Sequence, residues 1–96
     1  MAEFALTAAA ARDLDDIFDY GAGQWGADQA ASYVETLAER FALLADFPEI
    51  GSARDDIEPG VKLTPCGSHS VFFSGYAVGE AIKRVLYKRC DPQGDI

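Results

Sequence analysis

Apolar positions at the start of the chain change from a short continuous run to a helical repeat. The run over 3–6 (EFAL) predicts a strand, and Thr7 directly after it is a favourable N-cap for a helix that begins near Ala8. The next apolar residues recur at helical spacing, which predicts one buried stripe: Ala10, Ala11, Leu14, Ile17 and Phe18. The acidic residues between them are expected on the outer side of this helix: Asp13, Asp15 and Asp16.

A second helical repeat follows a glycine-containing segment. Gly21 and Gly23 weaken the first helix without having to end it before Trp25. The second helix is predicted to open at 26–28 and to end before Pro48, because proline restricts the residue that precedes it. Its apolar stripe is Ala30, Tyr33, Val34, Leu37, Phe41 and Leu44. Because few residues join the two helices, they should form an antiparallel hairpin.

The remaining part of the chain has the shorter periodicity of strands. A loop over 48–60, marked by Pro, Gly, Ser and Asp, precedes three predicted strands at 61–66, 69–77 and 80–89. Short turns between them require an antiparallel meander. We therefore predict one α+β domain over 1–96, in which a helical hairpin (about 8–46) packs on an antiparallel sheet of about four strands. A short tail, 90–96, follows the meander.

Charge is distributed unevenly along the chain. The net charge is −8, and residues 1–60 carry three basic against thirteen acidic side chains, whereas residues 61–96 carry five against three. The first part should therefore be repelled by the phosphates of nucleic acids. Half of the basic side chains fall in one short segment, interleaved with apolar residues: Lys83, Arg84, Lys88 and Arg89.

The basic segment has two interpretations. On a regular strand, Ile82, Arg84, Leu86 and Lys88 would share one face, and Lys83, Val85, Tyr87 and Arg89 the other. Neither face is cleanly apolar. In the first, the aliphatic stems pack while the charges extend to solvent or pair with the acidic residues of the first half. In the second, the cations form a binding surface. The pattern supports the two interpretations equally.

Two single residues are candidates for a functional role. His69 is the only histidine and hence the natural acid–base group. Ser68 and Ser70 flank it, but neighbours on a strand point to opposite faces, so adjacency does not make a catalytic triad. A structural histidine at the turn is favoured. Trp25 is predicted to fill the space between the helices at the tip of the hairpin, although tryptophan also occurs as an exposed anchor for partners.

Other site chemistry is not indicated by the sequence. The aspartates of the first helix, such as Asp15 and Asp19, have no accompanying histidine, so we expect no metal site and no cofactor. Cys66 and Cys90 are too few for a zinc motif or a disulfide framework, which favours free thiols but leaves their pairing open. No apolar run reaches the roughly 18 to 20 residues that span a bilayer. The amino terminus also lacks the features of a signal peptide, so we expect a cytoplasmic protein.

The order of these motifs resembles the ParE branch of the RelE/ParE superfamily, the toxins of bacterial toxin–antitoxin modules. The matching segments cover about Phe4 to Pro92 and run in order: LTAAAARDLDDIFDY, QWGADQAASYVETL, FALLADFPEIG, RDDIEPGVKLTPCGSHSVFF and IKRVLYKRCDP. The resemblance implies a helical hairpin on an antiparallel sheet. It also implies inhibition of DNA gyrase by protein contact without known catalysis, and neutralisation by a ParD-type antitoxin that wraps the toxin. Tyr87 stands where histidine is common in the family.

Charge favours this branch over the alternative within the superfamily. RelE-like members cut messenger RNA on the ribosome, and here such a site would use His69, Arg84 and Tyr87. A protein with a net charge of −8 approaches ribosomal RNA against electrostatic repulsion. We therefore predict a protein-binding toxin without catalytic residues, with target or antitoxin contacts at Arg84, Tyr87, Lys88 and Arg89. A RelE-like ribonuclease, or an inactive member retained for antitoxin binding, is the alternative.

Overall fold

Helices lie on a twisted sheet in this computed structural model, which describes residues 3–76 and 79–88. Within these residues there are two α-helices, a single 3₁₀ turn at Pro48–Ile50, and five strands. In chain order the helices and strands are β1 (Glu3–Leu6), α1 (Ala8–Trp25), α2 (Ala27–Asp46), β2 (Ser52–Ala53), β3 (Lys62–Cys66), β4 (His69–Tyr76) and β5 (Gly79–Tyr87). The strand order in the sheet is β1-β5-β4-β3-β2. The predicted α+β class and the helical hairpin are confirmed.

The sheet differs from the prediction in strand number and in one strand direction. The meander β3–β4–β5 is antiparallel as predicted, but β1 pairs parallel to β5, with Phe4 opposite Glu80 and Leu6 opposite Ile82. A parallel pair needs a long crossover connection, and here the helices and the rest of the meander supply it. The additional strand, β2, has only two residues, which is too short to show any alternation in the sequence.

Thr7 joins the start of α1 to β5. Its hydroxyl accepts a hydrogen bond from the Ala10 amide (3.0 Å) and donates one to the Lys83 carbonyl (2.8 Å). The Thr7 amide also donates to the Ile82 carbonyl (3.1 Å). The predicted N-cap is confirmed. The last residue pair between β1 and β5 is Leu6 with Ile82. Thr7, directly after β1, continues the hydrogen bonding to β5 through the carbonyls of Ile82 and Lys83.

A single glycine reverses the chain between the helices. Gly26 has a φ of 99°, donates its amide to the Ala22 carbonyl and accepts the Ala30 amide, so it ends α1 and begins α2. Gly21 lies within α1 and is buried; a Cβ there would lie 3.2 Å from the Cβ of Ala30. Gly21 therefore permits a close helix–helix approach, whereas a Cβ at Gly23 would meet no atom within 4 Å. In the described part of the chain, neither helix has an apolar stretch long enough to cross a membrane.

The core lies between the helices and the central strands. The predicted stripe of α2 is confirmed at its buried members, Ala30, Leu37, Phe41 and Leu44. From the sheet, Val71, Phe73, Ile82 and Val85 join the main cluster. Phe4 of β1 meets Phe41 edge-on, with ring centroids 5.7 Å apart. The short first strand is therefore fixed by packing as well as by pairing.

A β-bulge changes which side chains of β5 face the helices. Phe72 lies opposite Arg84 and Phe73 opposite Ile82, so Lys83 is the additional residue. Ile82 and Val85 consequently belong to the same core cluster, although regular alternation would place them on opposite faces. The predicted faces of the basic segment are wrong for this reason.

Replacing Thr7 by valine tests its link between α1 and β5. Thr7→Val removes the cap of α1 and leaves the Lys83 carbonyl without its hydroxyl donor, so the free energy of unfolding should fall by about 2 kcal/mol. Urea unfolding measures the loss. Thr36→Val is the matched control, since Thr36 is exposed and its hydroxyl bonds only within α2. Equal effects of the two changes would contradict the role of Thr7.

Candidate functional site

Arg84 is held by a carboxylate of α1. Its Nε lies 2.7 Å from Oδ2 of Asp13 and its Nη2 lies 3.0 Å from Oδ1, while the Val85 amide donates to Oδ2 at 2.9 Å. The two side chains are 21% and 12% exposed, respectively. The sequence predicted Asp13 on the outer side of α1. This prediction is wrong, because the side chain is paired with Arg84 and mostly buried. Because α1 covers the edge of β5 beyond the end of β1, this carboxylate faces the strand.

Pairing of cations with the acidic half of the chain is observed for two residues of the basic segment. Besides the Arg84–Asp13 pair, Lys83 Nζ lies 3.3 Å from Glu58 Oε1 in the loop before β3. One of the two interpretations left open by the sequence thus holds at Lys83 and Arg84. Because Lys83 and Arg84 are paired with carboxylates, the cations of any binding surface on this segment are expected at the end of β5, where Lys88 is exposed.

Tyr33 and His69 form a neutral hydrogen-bonded pair. The Tyr33 hydroxyl accepts the Ser68 amide (2.9 Å) and lies 2.7 Å from Nδ1 of His69; the Cys66 carbonyl is further away, at 3.4 Å. We assign the hydroxyl proton to the short contact, which makes Nδ1 an acceptor and leaves the imidazole proton on Nε2. Burial lowers the pKa of His69, against an opposing effect of Asp13, and burial raises the pKa of Tyr33. Both shifts favour the neutral forms.

The turn between β3 and β4 is shaped around the Tyr33 hydroxyl. Gly67 in this turn has a φ of +60°, and a Cβ at this position would lie 2.6 Å from the hydroxyl oxygen. Only glycine provides both the backbone conformation and the space. The next residue, Ser68, then directs its amide at Tyr33 and accepts the Lys88 amide at its carbonyl (3.0 Å).

An open pocket of about 560 Å³ lies beside this pair. Its walls are aromatic apart from one carboxylate, one isoleucine and one serine: Asp16, Ile17, Tyr20, Trp25, Tyr33, Ser68, His69 and Tyr87. His69 and Tyr87 meet edge-on with ring centroids 5.9 Å apart, and Tyr20 and Trp25 do so at 6.3 Å. We call this the aromatic pocket.

Trp25 lines the pocket and does not fill the space between the helices. The side chain is 58% exposed and neighbouring Tyr20 is 66% exposed. The prediction that Trp25 fills the space between the helices is wrong, because more than half of the side chain is exposed. One edge of the ring lies against Gly21, where a Cβ would be 3.4 Å from Cε3 and Cζ3 of Trp25.

The residues predicted to carry function are only partly brought together. Tyr87 is 52% exposed and lines the pocket beside His69, and Lys88 is exposed directly after β5. Arg84 is engaged by Asp13. Arg89 lies outside the described residues, as do Cys90 and the tail. The sequence did not single out Tyr33 for function, although a phenol in an apolar stripe indicates that its hydroxyl needs a polar partner.

Few groups of the described residues suit a metal or a covalent reaction. No set of three or more His, Cys, Asp or Glu side chains converges within the ranges 3–76 and 79–88. Cys66 is a buried free thiol. The site therefore consists of exposed aromatic side chains next to the hydrogen-bonded pair of Tyr33 and His69.

Comparison with known proteins assigns the fold to a class of bacterial toxins. Residues 4–91 match the family model described as ParE toxin of type II toxin–antitoxin system, parDE. A solved structure titled chromosomal ParDE TA system from P. aeruginosa superposes with a TM-score of 0.76 at 26% identity, covering 91% of this chain and 96% of the other.

Curated relatives agree with this assignment. Toxin ParE1 of Mycobacterium tuberculosis is 36% identical over 89 residues, which are 92% of this chain and 91% of the relative. Toxin ParE1 of Caulobacter vibrioides is 34% identical over 90 residues, with the same two shares. The chain belongs to the ParE toxin family.

Partial burial of the His69 imidazole predicts a specific loss of stability in mild acid. Because burial lowers the pKa of His69 in the folded chain, the unfolded chain takes up this proton first as the pH falls through about 6.5. The contribution is complete above that value and decreases below it. Urea unfolding between about pH 7.5 and 5.5 should show a larger acid loss for the wild-type chain than for His69→Gln. An equal or smaller loss in the wild-type chain would contradict the neutral pair.

Proposed function

We propose that this ParE-family toxin inhibits DNA gyrase by protein contact and is neutralised by a ParD-like antitoxin. The observation that carries the contact mechanism is the state of the candidate catalytic groups. Nδ1 of His69 is occupied by the Tyr33 hydroxyl and Arg84 is paired with Asp13, while Tyr87 and Lys88 are exposed. The exposed Tyr87 and Lys88 side chains are therefore better suited to protein contact than to proton transfer.

The proposed contact surface is the end of β5. It comprises the exposed Tyr87 and Lys88, and Arg84 contributes by holding β5 against α1. Arg89 follows them in the chain and is proposed as a further contact from the sequence alone. A partly exposed tyrosine next to a cation is a favourable binding anchor. On a chain with a net charge of −8, a local positive end selects partners with an acidic patch and fixes their orientation.

Antitoxin binding is supported by exposed apolar surface on another part of the molecule. Leu43, Phe47 and Ile50, around the end of α2, are exposed, and the outer strand β2 is only two residues long. A disordered antitoxin segment that orders on binding would bury such side chains and pair with a sheet edge. The toxin and antitoxin would then form a hetero-oligomer.

A RelE-like ribonuclease is less well supported. That activity would need His69 as an acid–base group and Arg84 as a ligand for phosphate charge. His69 has its acceptor nitrogen engaged, and Arg84 is only 21% exposed in its pair with Asp13. The overall negative charge also opposes approach to RNA.

Charge reversal at the end of β5 tests the proposed surface. The double variant Tyr87→Ala, Lys88→Glu should raise the toxin concentration for half-inhibition of gyrase supercoiling at least about tenfold, because interface anchors contribute more than 1 kcal/mol each. Growth inhibition on induction should weaken in parallel. Arg12→Glu is the matched control, since Arg12 is exposed on α1 and the change in charge is the same as at Lys88.

Three results would count against the proposal. Full gyrase inhibition by a folded double variant would remove Tyr87 and Lys88 from the contact surface. Codon-positioned cleavage of messenger RNA, detected by primer extension after induction, would favour the ribonuclease. Absence of any growth defect on expression of the wild-type chain would favour an inactive member that is retained for antitoxin binding.

A further inference from the structure

The aromatic pocket shares Tyr87 with the proposed contact surface, but its other walls have a chemical character that this surface does not use. Five rings form its walls, from Tyr20, Trp25, Tyr33, His69 and Tyr87, and Asp16 supplies a carboxylate. No lysine or arginine is among the described residues that line it, and its one imidazole, His69, is held neutral by Tyr33. Its volume, about 560 Å³, is in the range of ligand-binding pockets.

The walls of the pocket are preorganised on its inner side. Tyr33 is fixed by the Ser68 amide and His69, and His69 in turn contacts Tyr87 edge-on. On the outer side, Tyr20 and Trp25 leave more than half of their surface exposed. Large aromatic side chains exposed next to a rigid base are typical of a surface that a partner covers.

Electrostatics select the ligand class. The faces of aromatic rings attract cations, and Asp16 adds a negative charge on α1, where three further aspartates occur. A phosphate or a carboxylate ligand would be repelled. A neutral apolar ligand would desolvate Asp16 without compensating it.

A guanidinium group satisfies both features of the walls. Its plane stacks on aromatic rings, and its edge donates paired hydrogen bonds to a carboxylate. An ammonium group is more strongly hydrated and lacks the planar geometry. The pocket is larger than one such side chain, so a segment of polypeptide fits it better than a free small molecule does.

We propose that the aromatic pocket binds an arginine side chain of a protein partner. This inference rests on the proposed function in one respect: it takes the partner to be the antitoxin and names the chemistry that holds it. The Asp16 carboxylate pairs with the guanidinium, and the rings of Trp25 and Tyr20 close over it. The partner's arginine thereby covers the exposed aromatic surface.

Trp25 provides the assay, because it is the only tryptophan of the chain and lines the pocket. Nα-acetyl-argininamide is titrated into the purified chain while Trp25 fluorescence is followed. In ¹H–¹⁵N spectra, the chemical shifts of the Trp25 indole and of the Trp25 and Ser68 amides provide a second readout. We expect saturable changes in both, and binding at least about tenfold weaker for the neutral analogue Nα-acetyl-citrullinamide.

Matched carboxylate variants separate the pocket from general charge attraction. Asp16→Asn should weaken binding of the arginine derivative by about tenfold. Asp15→Asn removes the same charge from the neighbouring position, which does not line the pocket, and should leave binding within about twofold. Both residues are exposed, so both variants should fold, which far-ultraviolet circular dichroism checks.

The outcomes distinguish this inference from the proposed function. Absence of saturable change in both readouts, equal binding of the citrulline derivative, or equal effects of Asp16→Asn and Asp15→Asn would overturn the arginine site. The titration needs neither gyrase nor antitoxin. Loss of the gyrase result with retained arginine binding would therefore count against the proposed function alone, and the reverse result against the arginine site alone.

Discussion

The carboxylate of Asp13 joins the helical layer to the sheet where β1 has ended. It accepts hydrogen bonds from the Val85 amide and from Nε and Nη2 of Arg84 at 2.7–3.0 Å. Charge-assisted hydrogen bonds of this kind are stronger than neutral ones. Because the pair is mostly shielded from water, removing either partner would leave a poorly solvated charge. The position of α1 over β5, and with it the outer wall of the aromatic pocket, depends on this contact.

From this anchor the surface is assembled by elements that are distant in sequence. α1 supplies Asp16 and Trp25, α2 supplies Tyr33, and the meander supplies His69 and Tyr87. The half-buried Tyr33–His69 pair is neutral and hydrogen-bonded, so it supports the surface without offering a free general base. The exposed aromatic and cationic end of β5 and the aromatic pocket then present different chemistry side by side. Such a division is consistent with the proposed contacts to a target and to an antitoxin.

Periodicity predicted the two helices and the four longer strands of this fold, but neither β2 nor the contacts between the elements. The stripe ending at Leu44 and the cap at Thr7 are local features, so the sequence alone was sufficient for the helices. The parallel β1–β5 pairing and the bulge at Lys83 depend on residues far apart in the chain, and no local pattern marks them. The inward direction of Asp13 likewise rests on distant residues, Arg84 and the Val85 amide, which lie on β5 beyond the end of β1. The family resemblance indicated the function class, which neither charge nor spacing could define.

Hydrogen exchange at the Val85 amide tests most directly whether Asp13 holds β5. In the wild-type chain this amide should exchange as slowly as the amides of the central strand β4. In Asp13→Ala its protection should fall by about 10- to 100-fold relative to those amides, while Asp15→Ala should leave the ratio unchanged. A Val85 amide that is unprotected in the wild-type chain, or equally protected in Asp13→Ala, would contradict the account.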